Sequence, residues 1–154
     1  MRTGRNLGFT IVEIVAVVVI VAILAAYAIP RMIGPGEFAV RAGADRFLAA
    51  VHYGQLLSQR QSVETHVEVS VAPPQLRVTQ FNMLTSTWKP VMLNGEPYEV
   101  TLHEAVSIGK PSVDNIEFTS EGFPKKGVGQ YSVLEDGKLR YTVVLESTGF
   151  AHYK

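Results

Sequence analysis

The longest apolar stretch of the sequence lies near its N-terminus. Sixteen consecutive residues, 14–29, are apolar, and with residues 9–13 the stretch reaches twenty-one residues. A helix of that length spans about 31 Å, close to the ~30 Å hydrocarbon core of a bilayer. The pattern therefore predicts a helix that crosses a membrane once. Because Arg2 and Arg5 precede the stretch and no acidic residue does, the positive-inside rule predicts that the N-terminus stays in the cytoplasm.

A second, amphipathic helix is predicted after a break. Pro30 and Pro35, with the glycines at positions 34 and 36, favour a bend or an unwound segment over residues 30–36, because proline removes a helical hydrogen bond and glycine is a poor helix former. Over residues 37–61 the apolar positions recur at helical spacing and form one stripe, which consists of Val40, Ala44, Phe47, Leu48 and Val51. This stripe predicts that the helix packs against a sheet.

From Val63 onward the period of the pattern changes to two. Residues 63–71 predict a half-buried strand that ends before Pro73-Pro74, and Glu135-Asp136-Gly137 predicts a hairpin turn. Further strands are predicted at 76–81, 98–102, 115–119, 130–134 and 139–146. A long helix followed only by short strands predicts an α+β fold with the helix on an antiparallel sheet. The expected core includes Phe47, Leu48, Val51, Val67, Val69, Phe118, Val143 and Leu145.

The N-terminal stretch has three interpretations. It is a plain single-pass anchor, or a secretory signal peptide that is cleaved before Ile29, since Ala26 and Ala28 supply small residues at the required positions. The third interpretation takes the opening as one motif. A short basic leader ends in Gly8, and Phe9, the hydroxyl of Thr10, the acid Glu13 and a long apolar helix that reaches Pro30 follow it.

This order of residues resembles the class III signal of type IV prepilins and pseudopilins. The resemblance implies that a prepilin peptidase in the membrane cleaves after Gly8 on the cytoplasmic side and that the new N-terminal Phe9 is methylated. Residues 1–8 are then the leader peptide, residues 9–36 the transmembrane helix that becomes the core of a filament, and residues 37–154 a globular pilin domain. Within this domain the helix covers residues 37–61 and the β-rich part residues 63–154.

The resemblance also implies a location and partners. The chain is expected in the inner membrane first, in contact with lipid, and then in a periplasmic or extracellular filament. Other pilin or pseudopilin subunits and the inner-membrane assembly platform are its implied partners. The helix is expected to extend near Pro30 during assembly.

Two C-terminal segments resemble one group within this family. Residues 116–122 resemble the phenylalanine-then-glycine segment of the GspH/FimT group of minor pilins and pseudopilins, and residues 141–150 resemble its last strand. In that group an arginine commonly follows the terminal glycine, whereas Phe150 stands here. The implied function is that of a minor pilin or pseudopilin in a type IV pilus or a type II secretion pseudopilus.

Glu13 is the unusual residue of the apolar stretch. A carboxylate at the centre of a membrane helix costs roughly 2.5–3.5 kcal/mol, and less at the headgroup level. Glu13 lies four residues beyond Phe9, which is about 6 Å along a helix. In a filament core that excludes water, Glu13 would meet the α-ammonium of a neighbouring Phe9, and the pair would fix the axial register. The alternative is an interfacial glutamate without a partner.

The charge balance argues against a polyanionic partner. The chain has 14 Lys and Arg and 14 Asp and Glu residues, whereas nucleic-acid binding requires clustered surplus basic charge. Lys125 and Lys126, with Phe123 and Lys110, form the strongest candidate for a basic and aromatic loop. Since some FimT-type minor pilins bind DNA for uptake, a DNA-binding minor pilin is the alternative function.

The sequence contains no sign of catalysis. Cysteine is absent, which excludes thiol catalysis and cysteine-ligated zinc. Glu64, His66 and Glu68 alternate on one face of the first predicted strand, which is more typical of a solvated strand face than of metal ligands. No nucleophile elbow, phosphate loop or zinc-helix motif is present. The sequence therefore predicts a structural protein without a cofactor.

Overall fold

The computed structural model describes residues 10–32, 35–109 and 115–154. The chain divides into two compact units, Met1–Pro35 and Gly36–Lys154. The first unit contains α1 (Ile11–Met32). The second contains α2 (Pro35–Gln61) except for its first residue. Within the predicted break over residues 30–36, α1 continues through Pro30 to Met32, and α2 begins at Pro35. Pro35 is the first residue of α2, a position at which the missing N–H of proline costs no helical hydrogen bond.

The predicted stripe of α2 is buried, with one exception. Val40, Ala44, Phe47 and Val51 are each at most 1% exposed, but Leu48 is only partly buried. Leu48 lies at the border of the buried arc, and the small residue Ala50 completes that arc instead. The prediction of Leu48 as a core residue was therefore wrong, whereas the other seven predicted core residues are buried.

The β-rich part of the chain forms two antiparallel sheets and a ribbon. The first sheet has the order β3-β2-β1-β8-β9, with β6 also paired to β2; the second has the order β12-β11-β10-β7; β4 and β5 form the ribbon. The strands are β1 (Thr65–Val71), β2 (Pro74–Asn82), β3 (Thr87–Pro90), β4 (Met92–Leu93), β5 (Glu96–Pro97), β6 (Glu99–Thr101), β7 (Val106–Gly109), β8 (Asn115–Phe118), β9 (Pro124–Lys126), β10 (Gly129–Glu135), β11 (Lys138–Leu145) and β12 (Ala151–Tyr153). The predicted α+β class is confirmed.

The outer strand next to β2 is interrupted. β3 pairs with residues 79–82 of β2, and β6 pairs with residues 75–77 of the same strand. Between them the chain leaves the sheet as the β4–β5 ribbon, which turns at Asn94-Gly95 with φ of 55° and 88°. This is the primed type of hairpin turn that the Asn-Gly pair favours.

α2 joins the two sheets through one continuous core. The Phe47 ring lies 5.1 Å from that of Tyr131 on β10 of the second sheet. Further along the helix, Gly54 lies so close to Val67 of the first sheet that an added Cβ would approach the valine to 2.7 Å. The buried Tyr131 hydroxyl donates a hydrogen bond of 2.6 Å to the Gly127 carbonyl. Both sheets therefore depend on the same face of α2.

We expect Phe47→Ala to destabilise the unit Gly36–Lys154 by about 3–5 kcal/mol, because it removes a fully buried ring and leaves a cavity. Phe38 provides the matched control, since it lies on the same helix and is 65% exposed. Chemical denaturation of both variants measures the difference. Equal unfolding midpoints for Phe47→Ala and the wild type would show that the helix buries another face.

Candidate functional site

The start of α1 carries a hydrogen-bonded cap. The Thr10 hydroxyl accepts a hydrogen bond of 3.2 Å from the Glu13 backbone N–H, and the Thr10 carbonyl accepts one of 3.1 Å from the same N–H. Thr10 is thus the N-cap residue, and Glu13 occupies the third helical position. Threonine followed three residues later by glutamate is the capping-box pattern. The sequence contained this signal, but the structural role of Thr10 was not inferred from it.

The cap gives Glu13 a local function. A carboxylate in the first turn interacts favourably with the unpaired N–H groups and the positive end of the helix dipole, which is typically worth about 0.3–1 kcal/mol. Glu13 is the acidic residue of that first turn. Its charge therefore stabilises the helix end whether or not a second chain is present.

Over residues 11–26 the apolar side chains of α1 are exposed on every side of the helix. Residues 10–26 all fall in the exposed class, and the large apolar side chains from Ile11 to Leu24 are 52–81% exposed. An apolar surface of this extent is typical of a helix that packs against other helices or lipid. Within the three described ranges, the helices fall short of the combined length and apolarity needed to cross a bilayer.

The other residues predicted to take part in processing and assembly are only partly described. Gly8 and Phe9 lie outside the described residues. Pro30 is the third residue from the end of α1. Glu13 and Pro30 therefore mark the first and last turns of one continuous helix.

The predicted basic loop is a strand. Pro124–Lys126 forms β9 and pairs with β8, and both lysines contact glutamate carboxylates. The Lys125 ammonium lies 3.2 Å from Glu64, and the Lys126 ammonium lies 2.7 Å from Glu117. These pairs offset the basic charge that a nucleic acid would need. Lys110, the fourth member of the predicted loop, lies outside the described residues.

His66 is covered and does not belong to a solvated strand face. The His66 side chain stacks under Trp88 of β3 with ring centroids 3.3 Å apart, and the residue is 9% exposed. Its Nε2 atom lies 3.7 Å from the Glu117 carboxylate. The expectation of a wet face failed because the next hairpin folds Trp88 over the strand. Among the described residues, no group of three His, Asp or Glu side chains is arranged to hold a metal ion.

Burial changes the protonation of His66. Desolvation lowers the pKa of His66 below 6.5, and the carboxylates of Glu117, Glu68 and Glu64 counteract this effect in part, whereas Lys126 adds to it. The neutral imidazole is therefore the form that the fold favours.

The lowered pKa predicts a loss of stability in acid. Above the unfolded-state pKa of 6.5 the contribution of neutral His66 is complete, and it is lost as the pH falls below that value, because the unfolded chain then binds more protons. We expect His66→Gln to weaken the decrease in unfolding midpoint between about pH 7.5 and about pH 5.5. His103→Gln, at an exposed histidine, is the control. An unchanged pH profile in His66→Gln would contradict the assignment.

Comparison with known proteins identifies the fold. No protein-family model matches the sequence, and no curated protein matches it. Among solved structures, the minor pseudopilin EpsH from the type II secretion system of Vibrio cholerae is similar with a TM-score of 0.61 and 12% identity, over 75% of this chain and 92% of that chain. The type IV minor pilin FimU of Pseudomonas aeruginosa is similar with a TM-score of 0.57 and 12% identity, over 75% and 87%.

One of these structures is a type II secretion pseudopilin and the other a type IV minor pilin, which are the two kinds of protein that the sequence left open. The matched region makes up 92% of the EpsH chain and 87% of the FimU chain, so the likeness extends to nearly the whole of each known structure. The fold expected from the resemblance to the GspH/FimT group is confirmed. The chain has the fold of the minor pseudopilins and type IV minor pilins.

Proposed function

We propose that the chain is a minor pilin or pseudopilin, a structural subunit that is assembled into a type IV pilus or a type II secretion pseudopilus. The observation that carries this proposal is the joining of a pilin-type globular fold to a helix whose apolar side chains are exposed on every side. The globular unit buries its own core, whereas α1 has no such core and requires a partner. Burial of apolar helices against each other provides the driving force for assembly of the filament.

Membrane insertion before assembly is part of this proposal. It is supported by the sequence, in which the apolar stretch 9–29 begins at Phe9, outside the described residues. The chain is inserted once, with its N-terminus in the cytoplasm, and prepilin peptidase removes residues 1–8. The inner-membrane assembly platform then transfers it from lipid to the filament, and Pro30 marks the end of the helix at which the backbone extends. The role is structural, and no catalytic step is proposed.

Coexpression with a prepilin peptidase should shorten the chain by its eight leader residues and leave methylated Phe9 at the N-terminus. Gly8→Val should block this cleavage, because the peptidase requires a small residue there, whereas Gly4→Val should be cleaved normally. N-terminal sequencing and intact-mass measurement distinguish the products. An N-terminus at Ile29 would establish the secretory-signal interpretation instead.

Glu13 supplies the specific contact of this proposal. We infer that its carboxylate pairs with the α-ammonium of Phe9 in a neighbouring subunit. The cap supports this inference because it holds Glu13 at the end of the helix where a neighbouring N-terminus would approach. The local cap and the intersubunit pair require different chemical groups at position 13. Glutamine keeps the backbone N–H that donates to the Thr10 hydroxyl, but only a carboxylate neutralises an ammonium.

Glu13→Gln therefore separates the two roles of Glu13. Both Glu13→Gln and Glu13→Ala should insert and be cleaved normally, yet fail to enter filaments, since an unmatched buried ammonium costs about 3–5 kcal/mol. Glu13→Asp should be intermediate. Thr10→Val, which removes about 1 kcal/mol of capping, should reduce incorporation much less. The measurement is the fraction of processed subunit in sheared filaments. Wild-type incorporation of Glu13→Gln would show that the cap alone explains this residue.

The alternative of a DNA-binding minor pilin gains no support from the described residues. Lys125 and Lys126 were its candidates, and both contact glutamates. Non-specific DNA binding depends on cations that replace the counterions of phosphate. We therefore propose the structural role alone.

A further inference from the structure

Two turns of the globular unit have the same sequence pattern. The residues at 118–123 read Phe-Thr-Ser-Glu-Gly-Phe, and those at 145–150 read Leu-Glu-Ser-Thr-Gly-Phe. The first turn joins β8 to β9 in one sheet, and the second joins β11 to β12 in the other. We call the segments 119–123 and 146–150 the twin turns.

The twin turns also share their hydrogen bonds. In the first, Gly122 N–H donates to the Thr119 carbonyl at 2.9 Å, and Thr119 N–H donates to the Phe123 carbonyl at 2.8 Å. In the second, Gly149 N–H donates to the Glu146 carbonyl and Glu146 N–H to the Phe150 carbonyl, both at 2.9 Å. The glycines have φ of 86° and 88°, which other residues adopt with strain. This is the three-residue hairpin loop with a glycine bulge.

One side chain of α2 holds both turns. The Gln55 amide nitrogen lies 3.1 Å from the Gly122 carbonyl and 3.3 Å from the Thr148 carbonyl, and it donates to both. The turns also touch each other, because a Cβ added at Gly149 would lie 2.9 Å from the Gly122 carbonyl oxygen. Gln55 thus fixes the ends of the two sheets at one place.

Each turn presents a phenylalanine to solvent. Phe123 is 56% exposed and Phe150 is 57% exposed, whereas the apolar residues that precede the turns, Phe118 and Leu145, are at most 1% exposed. Phe150 stacks near His52 and His152, with ring centroids 6.3 Å and 5.4 Å away. Rigid exposed aromatic side chains lose little conformational entropy when they bind, and such residues dominate protein interfaces.

The charges of the turns define the partner. Each turn contains one acidic residue and no basic residue: Glu121 in the first and Glu146 in the second, both exposed. His152 lies 3.9 Å from Glu146, and Lys125, two residues beyond Phe123, contacts Glu64. Carboxylates beside the rings disfavour nucleic acid and anionic lipid, and they favour lysine or arginine.

We propose that the twin turns form a docking surface for a neighbouring filament subunit, which offers an apolar patch bordered by lysine or arginine. The proposal rests on the proposed function, since it names the contact that the globular unit makes in the filament. Phe123 and Phe150 are the anchors, Glu121 and Glu146 select the partner, and Gln55 positions both anchors together. This contact is separate from the packing of α1.

Site-specific photo-crosslinking of the full chain in its native host tests the surface. p-Benzoylphenylalanine replaces Phe123 or Phe150, and Leu139 is the control position because it is 59% exposed on a different hairpin. We expect positions 123 and 150 to crosslink to a filament subunit at least several-fold more than position 139, with lysine or arginine in the crosslinked peptide. Glu121→Lys with Glu146→Lys should abolish most of this product.

Gln55→Leu provides a second measurement. It should leave the circular dichroism spectrum of the chain unchanged and reduce crosslinking at both positions together, because one side chain holds both turns. Independent surface phenylalanines would not respond together.

The outcomes separate this inference from the proposed function. A chain absent from the sheared filament fraction in the wild type would refute the proposed function. A chain that is present in that fraction but crosslinks at positions 123 and 150 no more than at 139 would overturn the docking surface alone. Crosslinks to lipid, nucleic acid or a protein outside the filament would also overturn it, as would full crosslinking in the charge-reversal variant.

Discussion

Burial of one face of α2 against both sheets is the interaction on which the globular unit depends. The six-stranded and the four-stranded sheet both pack apolar side chains against this helix. Phe47 meets Tyr131 of one sheet, while Gly54 admits Val67 of the other. Small residues on the helix therefore matter as much as large ones, since they set how closely the sheets approach. Polar side chains of α2 also bind backbone carbonyls of the β-rich part. Arg46 donates to the Thr101 carbonyl, His52 contacts the Ala151 carbonyl, and Gln55 donates to the carbonyls of the twin turns.

α1 differs from α2 because its large apolar side chains are exposed and not buried in a core. Its apolar side chains face outward, so its stability in water is poor, and its favourable state is one in which lipid or other helices cover it. The first turn combines two physical constraints in four residues. The Thr10 hydroxyl accepts a hydrogen bond from the Glu13 backbone N–H in the first turn, and the Glu13 side chain places a negative charge at the positive end of the dipole. The globular unit thus buries its own core, while the apolar side chains of residues 11–26 stay exposed.

The periodic parts of the sequence predicted the fold well. The helical stripe located α2, and strict alternation around Glu135-Asp136-Gly137 located the β10–β11 hairpin, because each pattern reflects one buried face. The interrupted strand of β3 and β6 was predicted only in part, since its short exposed segments have no apolar period. Trp88 shows the limit of local reasoning. A single aromatic residue on the next hairpin covers His66, and nothing in the alternation of residues 63–71 indicates it.

The site residues also divide into those that a local motif predicts and those that only the fold brings together. Gly8, Phe9 and Glu13 are predicted from a local motif, and the capping role of Thr10 was also readable from the spacing to Glu13. The contacts of Lys125 with Glu64, and of Gln55 with two turns, join residues far apart in sequence, and no local pattern encodes them. The repeated Ser-x-Gly-Phe pattern of the turns was visible in the sequence, but its meaning depends on that shared glutamine.

The most direct test of the account is the intact mass of this chain after recovery from sheared filaments of its native host. We expect a chain that begins at Phe9 and carries one added methyl group. A chain that begins at Met1 or Ile29, or the absence of the chain from filaments that assemble normally, would contradict it.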